Sequence, residues 1–187
     1  GRVNFIADAL SIVRLDVEKN KSLNEIDEAI TFATIMPDQL VTAGQMIATL
    51  KIIPYAVSQS SIDAALSLIS NSDLVYCHTI VSRKFSLIQT SFEDTKPSII
   101  RATEDVTRTR LSHLNCPLID SQLTDHTASK VHNALIRARA QGAEAFLLCG
   151  ASAIADRLDI LPEALRMVGG LVNQIFLDSC LNKNRFL

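Results

Sequence analysis

The second half of the chain alternates short apolar runs with longer stretches in which apolar residues recur at helical spacing. Residues 85–90 form the first such run, and Pro97 and Ser98 open a helix that we expect to continue to about His113. Asn115-Cys116-Pro117 ends it, because the residue before a proline disfavours helical backbone. Strands that alternate with helices of this length predict βαβ units and a parallel sheet.

The same alternation continues towards the C-terminus. Residues 118–119 predict a second strand, and Thr124 or Asp125 is placed to cap the helix that follows, with Gly142 as the residue that ends it. Asp125 and His126 are interpreted as a helix start, with a catalytic role as the alternative. The apolar composition of residues 143–149 is typical of a fully buried, central strand.

The first half predicts a smaller unit that mixes helices and strands. Ser22-Leu23-Asn24-Glu25 has the spacing of a capping box, which predicts a helix after it. Residues 40–57 predict strands with a turn at Gly44, and Ser60 and Ser61 are placed to cap a further helix. The polar segment Ser82-Arg83-Lys84 then marks a boundary.

These patterns predict an α/β protein of two parts. Residues 1–82 form a small α+β N-terminal unit, and residues 83–187 form a domain with an open, mostly parallel sheet and helices on both faces.

Composition narrows the classes of function. Of 187 residues, 48% are hydrophobic and 20% charged, which excludes a disordered chain. Only 5% are aromatic and none is Trp, so a protein that stacks bases on aromatic side chains is not expected. The net charge of −2 gives no general attraction to nucleic acid or to an acidic membrane surface. We therefore expect no nucleic-acid partner and no membrane partner, and any anion site must be local.

Four cysteines lie far apart without a Cys-x-x-Cys pair, so neither a zinc site nor a disulfide framework is indicated and a cytoplasmic location is expected. The chain begins with Gly instead of Met, which indicates a trimmed sequence, with a fragment of a longer protein as the alternative.

The segment from Gly150 to Ala164 is the strongest candidate for chemistry. Small residues after a strand allow backbone amides to approach a phosphate, Ser152 adds a hydroxyl donor, and a helix that starts near Pro162 and ends near Val168 directs its positive end towards the same place. Asp156 and Asp159 beside such a pocket suggest Mg²⁺ or a pterin-like hydrogen-bond donor. The alternative is an ordinary strand-to-helix loop.

Within this segment, Gly150-Ala151-Ser152-Ala153, then Arg157, then Asp159-Ile160-Leu161-Pro162-Glu163-Ala164 resembles the loop of the molybdopterin-binding domain family, which includes molybdopterin adenylyltransferases and molybdotransferases. It is most similar to a bacterial subfamily that is often fused to a nucleotidyltransferase domain. Residues 23–34 and 44–57 resemble that subfamily as well.

The resemblance implies molybdopterin binding in molybdenum cofactor biosynthesis. If the chain is an enzyme, the chemistry that the resemblance implies is nucleotidyl transfer to the pterin phosphate with Mg²⁺ and ATP. It implies catalytic roles for Asp159 and Asp156, with Asp159 also holding the metal. The implied cofactor-binding residues are Gly150, Ala151, Ser152, Ala153, Pro162, Glu163, Thr90 and Ser91.

Residues 176–185 depart from the family, because they lack the two prolines and the turn glycine that close the pterin site in relatives. This departure supports an alternative function, a non-catalytic or degenerate binding or scaffolding module. The expected partners are a pterin small molecule, further copies of the chain in a homo-oligomer, and a nucleotidyltransferase domain outside this sequence.

Overall fold

The computed structural model describes residues 1–70, 73–154 and 156–173, which belong to two compact units. The first unit is Gly1–Val81, and the second begins at Ser82. The described residues form five helices and nine strands, and the strands make three sheets of three strands each, so the chain is a mixed α/β protein. Within the described ranges, every helix is too short or too polar to cross a membrane.

The elements of the first unit are β1 (Arg2–Ile6), β2 (Ser11–Leu15), α1 (Val17–Ile26), β3 (Ile30–Thr34), β4 (Leu40–Val41), β5 (Met46–Ile52), α2 (Gln59–Ile69) and β6 (Val75–Thr79). Its strands form two antiparallel sheets, with strand orders β1-β5-β3 and β4-β2-β6. Gly44 adopts a φ of 86° between β4 and β5, as the predicted turn requires.

The capping-box prediction in this unit is wrong. The side chain of Asp16 accepts a hydrogen bond from the backbone N–H of Lys19, so α1 begins at Val17, and Ser22 and Glu25 lie inside it. The helix therefore starts six residues earlier, with Asp16 instead of Ser22 as its cap, and it buries Leu23 against β3. At α2 the cap is Ser58, shortly before the predicted Ser60 and Ser61.

The elements of the second unit are β7 (Phe85–Ser91), α3 (Pro97–His113), β8 (Leu118–Asp125), α4 (Ala128–Ala140), β9 (Ala145–Cys149) and α5 (Ile160–Met167). Its strands form a parallel sheet of order β8-β7-β9. The predicted bounds of α3 are confirmed. Gly142 follows α4 with a φ of 92°, the conformation that ends a helix and that favours glycine.

The core of this unit lies between the sheet and the helices α4 and α5. Ile88 of β7 is fully buried against Val131 and Leu135 of α4. The preceding residue, Leu87, lines a separate cleft with Val106 of α3. Consecutive side chains of β7 therefore point to opposite faces of the strand, as the alternation of a strand requires.

Two predictions for this sheet are wrong. Among the described strands, β9 lies at the edge of the sheet instead of its centre; its side chains are half-buried and Cys149 is exposed. Strand β8 continues to Asp125, because its pairing with β7 extends to Ser91, so neither Thr124 nor Asp125 caps α4. The residue that precedes α4 is Thr127.

Candidate functional site

Three strand ends meet at the carboxyl edge of the parallel sheet. Thr90 pairs with Thr124 on β8, and Gln89 pairs with Cys149 on β9, so the three strands end at one level. The residues that follow β8 and β9 are His126 and Gly150. Ligands of open α/β sheets bind beyond this edge, which makes it the candidate site of the second unit.

A chain of hydrogen bonds joins the three strand ends. The hydroxyl of Thr90 lies 2.8 Å from Nδ1 of His126, and Nε2 of the same imidazole lies 3.1 Å from Oγ of Ser152. The backbone N–H of Ala151 donates to the Thr90 hydroxyl over 2.8 Å. Thr90 is only 3% exposed, whereas Ser152 is exposed. This series of hydrogen bonds therefore runs from the buried hydroxyl of Thr90 to the exposed hydroxyl of Ser152.

Gly150 allows the loop after β9 to fold tightly over the sheet edge. A Cβ at this position would lie 2.8 Å from the carbonyl oxygen of Ser152 and 3.1 Å from Cδ1 of Leu161. The first contact is with backbone, which cannot rotate away as a flexible side chain can. Any side chain at position 150 would therefore displace the loop that carries Ser152.

Residues of this loop line two clefts. The larger, of about 460 Å³, is lined by Thr90, Gly150 and Ala151 together with Lys96 at the start of α3. The smaller, of about 80 Å³, is lined by His126, Ser152, Ala153 and Asp159, among others. The predicted residues Thr90, Gly150–Ala153 and Asp159 are thus brought together, although the N–H of Ala151 already has a partner in Thr90.

The two predicted carboxylates organise the loop itself. Oδ1 of Asp156 accepts a 2.6 Å hydrogen bond from the N–H of Leu158, and Oδ2 of Asp159 accepts a 3.0 Å hydrogen bond from the N–H of Asp156. Asp156 is exposed, and Asp159 directly precedes α5. Within the described ranges, no group of three or more His, Cys, Asp or Glu side chains is placed to hold a metal ion.

The remaining predicted site residues lie further from the clefts. Pro162 is buried within the first turn of α5, where Glu163 is exposed and donates its N–H to the carbonyl of Asp159. Ser91 is the half-buried last residue of β7. The segment 176–185, whose sequence departs from the family's turn, lies outside the described residues.

His126 is a residue of the candidate site for which the sequence favours a helix start, with a catalytic role as the alternative. The helix start is wrong, because β8 extends to Asp125 and the residue before α4 is Thr127. The signal that points to His126 is its place directly after a strand of a βαβ unit, the same place that Gly150 occupies after β9.

Comparison with known proteins leaves the family open: no model of a known protein family matches the chain, and a search of curated proteins gives no significant match.

Proposed function

We propose that this protein binds molybdopterin through its phosphate group at the carboxyl edge of the parallel sheet, as a cytoplasmic component of molybdenum cofactor biosynthesis. The observation that carries the proposal is the meeting of the Gly150–Ser152 loop with Thr90 and His126 beyond three strand ends. The finer architecture, an open, mostly parallel sheet with helices on both faces, belongs to the same proposal. It is supported by the burial of Ile88 against α4 and by the cleft that Leu87 lines together with residues of α3.

The chemistry of the loop suits a phosphate. Gly150 lets the loop fold tightly over the strand end, because the carbonyl of Ser152 and the side chain of Leu161 fill the space that a side chain would need. The exposed hydroxyl of Ser152 can donate a hydrogen bond to a phosphate oxygen. The backbone at the start of α5 adds the positive end of a helix dipole. These features support the role that the resemblance of the Gly150–Ala164 sequence implies.

The placement of Asp159 fits a magnesium ion bound together with a phosphorylated ligand. Mg²⁺ is commonly held by one or two carboxylates, with phosphate oxygens and water completing its coordination. Asp159 lines the same small cleft as Ser152, so its carboxylate is the group of this chain that would hold the ion. Bound Mg²⁺ and ATP would supply nucleotidyl transfer to the pterin phosphate. In that reaction the chain's own contribution is to orient the phosphate through Ser152.

A second candidate function is a binding or scaffolding module without catalysis. It is favoured by the hydrogen bonds that tie the carboxylates of Asp156 and Asp159 to backbone N–H groups of their own loop. Two carboxylates of this kind explain the order of the loop without a metal. In this case the chain would present the pterin to a nucleotidyltransferase domain outside this sequence, or to another copy of itself in a homo-oligomer.

Calorimetric titration of the whole chain with molybdopterin tests the proposal, in parallel with and without Mg²⁺ and ATP. Binding in both conditions, with release of pyrophosphate only when Mg²⁺ and ATP are present, supports the enzyme. Binding without pyrophosphate release supports the scaffolding module. If molybdopterin binds neither with nor without Mg²⁺ and ATP, both the enzyme and the scaffolding module are contradicted.

A further inference from the structure

We propose that His126 is a positioning residue, which fixes the hydroxyl of Ser152 as a hydrogen-bond donor towards a phosphate monoester. This inference rests on the proposed function, because the phosphate in question is that of the bound pterin. It assigns a role to a residue from β8's carboxyl end that neither the loop motif nor its resemblance includes.

The direction of the hydrogen bonds begins at Thr90. Its oxygen accepts the N–H of Ala151, and that donor has no alternative direction because a backbone amide only donates. The second described partner of the hydroxyl is Nδ1 of His126, at 2.8 Å. Because Thr90 is buried, its proton is best satisfied by this nitrogen. Nδ1 therefore accepts, and in the neutral imidazole the proton resides on Nε2.

The proton on Nε2 then sets the role of Ser152. Nε2 lies 3.1 Å from Oγ of Ser152, so the imidazole donates and the serine oxygen accepts. The serine's own proton must point elsewhere, and Ser152 lines the small cleft from an exposed position. The hydrogen bonds from Thr90 through His126 to Ser152 thus leave the hydroxyl of Ser152 as a donor towards a ligand, and phosphate oxygens are acceptors.

Donation of a hydrogen bond from Nε2 of His126 to Ser152 excludes a nucleophilic role for this serine. A general base must take the serine's proton on an unprotonated nitrogen, as the imidazole of a Ser-His pair does. Here the nitrogen that faces Ser152 carries the proton, and a threonine hydroxyl stands where a carboxylate would hold the opposite tautomer. The pair resembles a catalytic dyad in its distances but is oriented for binding.

The imidazole is held in this orientation from a further side. The ring of Phe92 packs edge to face against it, with centroids 5.0 Å apart and an interplanar angle of 71°. A ring that is hydrogen-bonded at both nitrogens and packed against a neighbouring aromatic ring has little freedom to turn over. This makes the tautomer a property of the fold, which can be measured without ligand.

The first experiment determines the tautomer of His126 in the whole, ligand-free chain. Two-dimensional NMR that correlates ring protons with ring nitrogens distinguishes a protonated Nε2 from a protonated Nδ1 at a pH where the imidazole is neutral. We expect the Nε2–H form at His126. The Nδ1–H form would overturn the inference alone, since phosphate binding to the loop does not depend on it.

The second experiment measures affinity for molybdopterin and for its dephosphorylated form by calorimetry. We expect His126→Phe, which keeps a ring against Phe92 but removes both nitrogens, to weaken molybdopterin binding about tenfold. His126→Gln retains an amide N–H donor towards Ser152 and should restore most of the affinity. His132→Gln is the matched control, because His132 lies on α4 and hydrogen-bonds the neighbouring Asn133.

The two forms of the pterin separate recognition of phosphate from a general effect on the fold. The loss in His126→Phe should be confined to the phosphorylated form. An equal loss for both forms, or no loss for either, would overturn the inference while leaving the proposed function in place. If the wild-type chain binds neither form, the proposed function fails and the inference fails with it. Covalent labelling of Ser152 by a serine-directed organophosphonate would also contradict the donor role.

Discussion

The backbone N–H of Ala151 lies 2.8 Å from the hydroxyl oxygen of Thr90, which joins the loop after β9 to the end of β7. Since Thr90 is buried, water does not compete for this bond, and the same hydroxyl also reaches His126. A single oxygen atom thus connects all three strand ends of the candidate site. Removal of this oxygen should lower the stability of the second unit.

We expect Thr90→Val to destabilise the second unit by about 1–3 kcal/mol. Valine has nearly the shape of threonine, but it leaves the N–H of Ala151 and Nδ1 of His126 without their partner. Urea denaturation followed by circular dichroism measures the change. Thr90→Ser keeps the hydroxyl and is the control; a Val variant no less stable than the Ser variant would contradict the prediction.

Gly150→Ala should weaken molybdopterin binding at least tenfold, which corresponds to about 1.4 kcal/mol. The added Cβ would lie 2.8 Å from the carbonyl oxygen of Ser152, so the loop must move. Gly170→Ala is a matched control, because its Cβ would also lie 2.8 Å from a backbone oxygen, that of Leu165, after α5. Calorimetry that shows equal losses of affinity in the two variants would argue against a binding role for the Gly150 loop.

Asp159→Asn should reduce Mg²⁺-dependent binding or turnover about tenfold while the fold is retained, a change of about 1.4 kcal/mol. The amide keeps an oxygen that can accept the N–H of Asp156 but loses the charge that attracts a cation. Asp156→Asn is the comparison, since that carboxylate also bonds a backbone N–H of the loop and does not line the small cleft. Dissociation constants and rates equal to those of wild type at matched Mg²⁺ would leave Asp159 only a loop-ordering role.

Glu104 should contribute to stability in a pH-dependent manner. Hydrogen bonds from Arg108 and from Ser121 hold the pKa of its carboxyl below the ordinary value. Since the folded pKa is lowered, the contribution is fully present above the ordinary pKa of about 4.5 and is lost as the pH falls through the folded pKa.

Comparison of wild type with Glu104→Gln by urea denaturation across this pH range measures the effect. The difference in the free energy of unfolding should shrink as the pH falls below about 4.5. In an Arg108→Gln background the same comparison should depend less on pH, because the main cause of the lowered pKa is gone. A difference that stays constant down to acid pH would contradict this account.

Local signals predicted the elements whose ends are set by their own residues. Pro97 can occupy a first helical turn and Pro117 cannot follow a helix directly, so the sequence contains both limits of α3. Gly142 likewise predicted the end of α4 from a single residue, because the backbone conformation that ends the helix favours glycine. The small residues after β9 indicated the loop because their chemistry is local.

Pairing between distant segments could not be predicted in this way. The length of β8 depends on hydrogen bonds with Ser91, more than thirty positions earlier in the chain, and this length decides that His126 faces the site. The residues from Ser22 to Glu25 have the spacing of a capping box, but Asp16 caps the helix six residues earlier. The packing of Leu23 against β3 stabilises the helix that begins there. The edge position of β9 among the described strands is likewise a property of the assembled sheet.

Strand β7 is the first strand of the second unit along the chain and the central strand of its sheet. During synthesis it must wait for β8 and then for β9 before both of its sides are paired. In a chain that stops before Ala145, the edge of β7 that pairs with β9 would have unpaired backbone groups, which can pair with another molecule. This edge includes Leu87 and Ile88, whose side chains are buried in the complete fold. We therefore expect such truncated chains to aggregate, and the binding site to form only when β9, the last of the described strands, has been added.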